Sequence, residues 1–169
     1  MNNIERRDQQ ILYISDDAVF EEQKKCRSIL QKLNFMDRAD FSGISALVKE
    51  LFGTSDGAFL NPPFYCDYGS HIHVGKNFFA NYNCTIIDVA PVTIGDNCQM
   101  APNVAIYTAG HPVHPATRNT AYEYGIEVIT PAIKHCRRDH WNHQDHDRER
   151  EPGEQSKTGR ASGFVTVMS

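Results

Sequence analysis

The sequence lacks an apolar run of membrane-spanning length, and its polar start, MNNIERRDQQ, has no apolar segment of the kind found in secretion signals. It also lacks charge of a single sign, because 17 Lys and Arg residues stand against 21 Asp and Glu residues, for a net charge of −4. We therefore expect no membrane association. The charge balance gives no reason to expect a nucleic-acid partner.

Cysteine is scarce and shows no regular spacing. The chain has five cysteines, an odd number, and no CxxC pair. This usage favours reduced thiols, so we expect a cytoplasmic protein. Cys84 and Cys98 fall on apolar positions of the repeat described next, where a thiol acts as a small apolar side chain.

The stretch from Ile72 to His111 carries an apolar pair every six residues, with two extra residues near Pro91. This period matches neither an amphipathic helix nor a long alternating strand. It is typical of a hexapeptide β-helix, in which three hexads close one triangular coil. The alternative is an all-β sandwich with irregular turns. The twelve positions predicted to point inward are Ile72, Val74, Phe78, Ala80, Cys84, Ile86, Val92, Ile94, Cys98, Met100, Val104 and Ile106.

The corners of the coils are predicted at Gly75–Lys76–Asn77 and Gly95–Asp96–Asn97, because Gly and Asn tolerate a left-handed backbone. Residues 58–71 continue the six-residue phase backwards and predict an incomplete first coil. The segment Pro112–Gly125 has no such phase and is predicted to be a loop that leaves the prism.

Two helices are predicted before the repeat. Apolar spacing indicates the first from Ala18 to about Asn34, and the second from Phe41 to a stop at Gly53. Their apolar stripes are expected to cover the open end of the prism. We divide the chain into a helical cap at 1–56, a β-helix with its exit loop at 57–126, and a tail at 127–169.

The tail has almost no residues to bury, and we expect it to be largely disordered. Cys136, His140, His143 and His146 offer Zn²⁺-ligating atoms, but their spacing matches no standard zinc finger. A solvated run without metal is the favoured interpretation, and no metal is expected.

The motifs CDYG, NFFANYN, IGDN, MAPNV and AGHP together resemble the maltose and galactoside O-acetyltransferases of the left-handed β-helix acyltransferase superfamily. The resemblance covers roughly residues 9 to 126. It implies a left-handed parallel β-helix, transfer of an acetyl group from acetyl-CoA to a sugar hydroxyl, and a homotrimer with active sites between neighbouring prisms.

The resemblance also implies the site residues. His111 in AGHP would be the general base, and Asn81 in NFFANYN would hold acceptor hydroxyls or help to stabilise the thioester oxyanion. Asp67 in CDYG and Asp88 in IIDV would accept hydrogen bonds from the sugar. For Asn81 a purely structural corner role is an equal alternative, and both aspartates are also common turn formers.

The chain departs from the family pattern in two ways. Phe79 and Val89 stand where some members have Tyr and Asp, so the acceptor is expected to differ from a galactoside. The family's later coils, which carry most CoA-binding groups, are replaced by the tail, which we interpret as a truncated or out-of-frame replacement. We therefore expect weak acetyl transfer and low stability. A non-catalytic fragment that associates with family subunits is the alternative function.

Overall fold

The structure is a computed structural model and describes residues 1–130. The zinc hypothesis, and the predicted disorder of the tail beyond residue 130, concern residues outside this range. The helices of the described part are α1 (Asn3–Asp8), α2 (Asp17–Phe35), α3 (Phe41–Leu51) and α4 (Pro115–Arg118).

The strands of the described part are short, none longer than five residues. They are β1 (Tyr13–Ile14), β2 (Thr54–Asp56), β3 (Phe59–Leu60), β4 (Phe64–Cys66), β5 (Ile72–Lys76), β6 (Phe79–Ala80), β7 (Cys84–Ile87), β8 (Val92–Ile94), β9 (Gln99–Met100), β10 (Ala105–Tyr107), β11 (Ala109–Gly110), β12 (Tyr122–Gly125) and β13 (Val128–Thr130).

Three parallel sheets form the sides of a prism. The first sheet has the order β13-β8-β5-β2, the second β3-β6-β9 and the third β10-β7-β4. Successive strands from β2 to β10 visit the three sheets in turn, so every three strands make one coil. Most partners in adjacent coils lie 20 residues apart, as for Asn77 and Asn97.

The prism interior is apolar, as predicted. All twelve positions marked by the six-residue repeat are buried, and none is more than 4% exposed. The repeat therefore places one apolar pair on each side of each coil. The prediction of an incomplete first coil is wrong, because β2, β3 and β4 supply all three sides.

Asparagines make four of the left-handed corners. Asn77, Asn83, Asn97 and Asn103 have φ values of 57°, 60°, 58° and 63°. Asn77 and Asn97 thus confirm the two predicted corners, whereas Gly75 has no positive φ value and serves close packing. A Cβ atom at this position would lie 2.2 Å from Oδ1 of Asp96 and 2.7 Å from its backbone nitrogen.

The N-terminal helices pack on the first coil. Asp16 caps α2 by accepting a hydrogen bond from the backbone N–H of Val19 at 3.1 Å, and Asp40 caps α3 in the same way. The buried apolar residues of both helices share one core with the first coil. This core includes Cys26, Ile29, Leu33, Ile44, Val48, Leu51, Leu60 and Phe64.

Both boundaries predicted for the β-helix move outward. Thr54–Asp56 pairs with β5 in the first sheet, although it lies inside the predicted cap. Val128–Thr130 pairs in parallel with Val92–Ile94, although it lies inside the predicted tail. Val128 is buried, so it continues the inward face of the first sheet after a long excursion of the chain.

The predicted loop at Pro112–Gly125 contains structure. Strand β12 pairs antiparallel with β11 on one side and with β1 on the other. The residues just before α2 are thereby attached to the segment that leaves the prism. This small sheet needs a partner about a hundred residues away, which the six-residue pattern does not reveal.

Candidate active site

One corner of the prism holds the connections from the third sheet to the first, which include the longest connection among residues 1–130. Each coil passes from the third sheet to the first through residues 67–71, 88–91 or 108–127, which we call the exit corner. Asp67, Asp88 and His111 all lie in these connections. Asn81 lies elsewhere, at the corner between β6 of the second sheet and β7 of the third. The fold therefore places three of the four predicted site residues at one corner.

Asp88 is fully buried and holds the turn of the coil before it. Its Oδ1 accepts hydrogen bonds from the backbone N–H groups of Asp67 and Tyr68, both at 2.9 Å. Its Oδ2 has no hydrogen-bond partner among residues 1–130. This geometry points to a positioning role for Asp88, because neither oxygen faces solvent.

Asp67 is half-buried beside that carboxylate. Burial raises the pKa of Asp67, and the negative charge of Asp88 raises it further. The positive charge of Arg27 opposes this shift. Asp67 therefore holds its proton to a higher pH than an exposed aspartate does, while keeping partial access to solvent.

His71 and Tyr68 complete this turn. Nδ1 of His71 lies 2.7 Å from the backbone oxygen of Asp88, so Nδ1 carries the proton, because a carbonyl oxygen only accepts. The His71 ring stacks on Tyr68 with centroids 4.7 Å apart. The guanidinium carbon of buried Arg7 lies 4.6 Å from the centroid of the Tyr68 ring. The N-terminal helix α1 thus contacts the exit corner.

His111 is exposed and directly follows β11. Its Nδ1 lies 3.5 Å from the backbone oxygen of Tyr122. A proton on Nδ1 leaves Nε2 as the accepting nitrogen of a neutral ring. Gly110 sets the approach of this segment to β12, since a Cβ atom there would lie 2.7 Å from ring atoms of Tyr124. The AGHP motif therefore places an imidazole on the surface, on a backbone fixed by strand pairing.

Asn81 belongs to an asparagine ladder. Its Oδ1 accepts from the backbone N–H of Tyr82 at 2.8 Å and from Nδ2 of Asn61 at 3.3 Å. Within the described part of the chain its own NH₂ group has no partner. The structural and the functional interpretations therefore use different atoms: the oxygen holds the corner, and the nitrogen remains a donor.

The N-terminal segment also belongs to this corner, which was not predicted from the sequence. Tyr13 is completely buried in a cluster with Tyr68 and Val89, and Ser15 hydrogen-bonds to Glu123 of β12. Burial raises the pKa of Tyr13, and the charge of Glu123 adds to the shift. No local signal marks these residues, because their contacts depend on the pairing of β1 with β12.

The two departures from the family pattern occupy different environments. Val89 is buried against the N-terminal segment, whereas Phe79 is half-buried on β6, two residues before Asn81. Of the two, Phe79 is therefore the one that is partly accessible to solvent.

Known proteins share this architecture. A maltose O-acetyltransferase from Clostridium difficile 630 superposes with a TM-score of 0.73 at 33% identity, covering 78% of each chain. This chain belongs to the maltose and galactoside O-acetyltransferase family. A galactoside acetyltransferase solved in complex with coenzyme A superposes with a TM-score of 0.71 at 32% identity, covering 78% of this chain and 73% of that one.

This chain matches only part of the length of its curated relatives. The galactoside O-acetyltransferase of Escherichia coli K12 is 38% identical over 109 residues, which are 64% of this chain and 54% of that protein. The chain thus spans less than two thirds of the length of such relatives. No family model matches the chain.

Residues 1–130 contain neither a metal-binding cluster nor a membrane-spanning helix. Among residues 1–130 no group of three or more His, Cys, Asp or Glu side chains is placed to hold a metal ion. None of the helices in that range has the length and apolar character needed to cross a membrane.

Proposed function

We propose that the protein is an acetyl-CoA-dependent O-acetyltransferase that acetylates a hydroxyl of maltose, glucose or a related saccharide. Membership of the family supports the reaction class, and the relative with bound coenzyme A supports the donor. The observation that carries the proposal is the exposed imidazole of His111, with Nδ1 facing the backbone oxygen of Tyr122. A left-handed winding of the coils and a cytoplasmic location, both expected from the sequence, belong to the same proposal.

The chemistry requires one proton transfer and one bond exchange. Nε2 of His111 accepts the proton of the sugar hydroxyl while the hydroxyl oxygen attacks the thioester carbonyl. The carbon–sulfur bond then breaks, and the CoA thiolate leaves with a proton from the imidazolium. A base of this kind contributes about 10²–10⁴-fold to the rate.

Asn81 and Asp67 act on different parts of the reactants in this proposal. The NH₂ group of Asn81 donates to the oxyanion that forms on the thioester carbonyl or to an acceptor hydroxyl. Asp67 accepts a hydrogen bond from the sugar at the exit corner. Asp88 acts through Asp67 by fixing its backbone, rather than by touching the sugar.

A homotrimer fits the separation of these residues. His111 and Asn81 lie at different corners of one prism, with the third sheet between them. A neighbouring subunit that presents its Asn81 corner to the exit corner of the first would complete a site from two chains. The trimer and its shared sites are therefore part of the proposal, and sedimentation of the full chain tests them.

The decisive experiment is an acetyl-transfer assay on the full chain. Coenzyme A release is measured with acetyl-CoA and, in separate reactions, maltose, glucose or a galactoside. His111→Gln should lower the rate about 10²–10⁴-fold. His114→Gln, which changes another exposed histidine three residues away, should leave it unchanged. Equal rates for wild type and His111→Gln would refute the assigned base.

The predicted weakness of acetyl transfer is tested in parallel by calorimetry. If CoA-binding groups are missing, acetyl-CoA should bind weakly and turnover should be low. Tight binding with turnover at a rate normal for enzymes would contradict that prediction while supporting the acetyltransferase itself.

A second candidate function is that of a non-catalytic partner of longer family subunits. Within residues 1–130, β9, β10 and β13 are the last strands of their sheets, and open strand edges can pair with further strands. Co-purification with a full-length family member, without turnover by the chain alone, would favour this function.

A further inference from the structure

Two thiols face each other where the helical cap meets the first coil. Cys26 on α2 is 2% exposed and Cys66 at the end of β4 is 7% exposed. Their sulfur atoms lie 3.5 Å apart, and Sγ of Cys26 also lies 3.7 Å from the backbone oxygen of Cys66. The two residues are separated by 40 positions in sequence, so their contact depends on the cap being seated.

We propose that Cys26 and Cys66 form a reversible disulfide when the protein meets a peroxide, and that this bond fastens the cap to the first coil. The sulfur atoms are within about 1.5 Å of bonding distance, since a disulfide bond is about 2.05 Å long. Small rotations of the two side chains supply that movement. Cys66 immediately precedes Asp67, so the bond would form next to the exit corner.

The two-step reaction balances with the peroxide as oxidant. One thiolate attacks a peroxide oxygen, the oxygen–oxygen bond breaks, and a sulfenic acid and water result. The second thiolate then attacks the sulfenic sulfur, the disulfide forms, and a second water leaves. Two thiols have lost two electrons and two protons, and a dithiol reductant reverses the change.

The closed structure protects the pair from this oxidation. The hydrogen bond with Cys26 and burial both raise the pKa of the Cys66 thiol, so it is protonated at neutral pH. The first step therefore requires α2 to separate briefly from the coil. When the cap returns, the second sulfur is already in contact, so closing of the bond follows quickly. The rate of disulfide formation therefore depends on how often the cap separates from the first coil.

The test uses the full reduced chain treated with hydrogen peroxide at neutral pH and then alkylated. Digestion and mass spectrometry should identify a peptide that links Cys26 to Cys66, with the loss of two hydrogen atoms. The oxidised chain should unfold at a temperature about 10 °C higher, because a bond closing a loop of this length restricts the unfolded state. Dithiothreitol should restore the lower value.

Matched variants separate this pair from the other thiols. Cys26→Ser and Cys66→Ser should each abolish the link, whereas Cys136→Ser should retain it. If either variant fails to fold, the rate of disulfide linkage in the wild-type chain is measured at low urea concentrations instead. That rate should rise several-fold at urea concentrations below those that unfold the whole chain. Recovery of Cys26 and Cys66 as separate alkylated thiols, or linkage to another cysteine instead, would overturn the proposal.

Discussion

The prism interior and the exit corner are built on opposite principles. The interior repeats one apolar pair on each side of each coil. A substitution in one coil therefore disturbs the packing of the coils above and below it. The corner has no such repeat. It contains a buried carboxylate with one oxygen that has no hydrogen-bond partner among residues 1–130, a half-buried carboxylate beside it and an exposed imidazole. The interior therefore stabilises the fold, whereas the partly buried carboxyl groups of the corner lower the free energy of unfolding.

The largest effect should come from the corner without disturbing the interior. His111→Gln is expected to reduce acetyl transfer about 10²–10⁴-fold, since the proposed base is lost. Its unfolding temperature should stay at the wild-type value, because the side chain is exposed. A parallel fall in stability would mean that this imidazole belongs to the scaffold.

The complementary change attacks the interior. Ile86→Ala removes a fully buried side chain from β7, the central strand of the third sheet. The free energy of unfolding should fall by about 2–5 kcal/mol, because a cavity opens in a packed core. Urea titration measures the loss. Ile129→Ala, at an outward position that is 68% exposed, should change the free energy by no more than about 0.5 kcal/mol.

Asp88 lies where the two regions meet, and its substitution tests which one it serves. Asp88→Ala leaves the backbone N–H groups of Asp67 and Tyr68 without their acceptor, at an expected cost of about 1–3 kcal/mol. Asp88→Asn keeps an oxygen in place and should retain most of the stability. If both variants unfold alike, the carboxylate does not act by holding this turn.

The smallest effect concerns the pH dependence of stability through Asp67. Its pKa is raised in the folded chain, so the folded state binds more protons than the unfolded state between an unfolded pKa of about 3.9 and the raised value. Stability therefore falls as pH rises through that window. Asp67→Asn should raise the unfolding temperature at neutral pH, and the gain should vanish under acid conditions. A gain that is constant with pH would contradict this account.

These two regions also differed in how far the sequence predicted them. The interior was predicted residue by residue, because apolar pairs such as Ile72 and Val74 recur every six residues along the sequence. The starts of α2 and α3 were found within one residue for the same reason, from local helix signals.

The corner was predicted only through motifs. The role of His111 stays a prediction that rests on its motif. The pairing of β12 with β1 was not predicted, since the residues around Tyr13 give no sign of a partner in a distant segment. The hydrogen bonds of Asp88 to the turn of the preceding coil were also not predicted, because a carboxylate that holds a turn and one that binds a sugar look the same in sequence.

The twenty-residue coil has a further consequence. Val128 pairs with Val92 in the register that Val92 has with Ile72, even though the chain has meanwhile travelled through α4 and two strands of another sheet. The register between coils therefore does not depend on the number of residues between β10 and β13. The excursion can thus differ in length or sequence while the register of the first sheet stays the same.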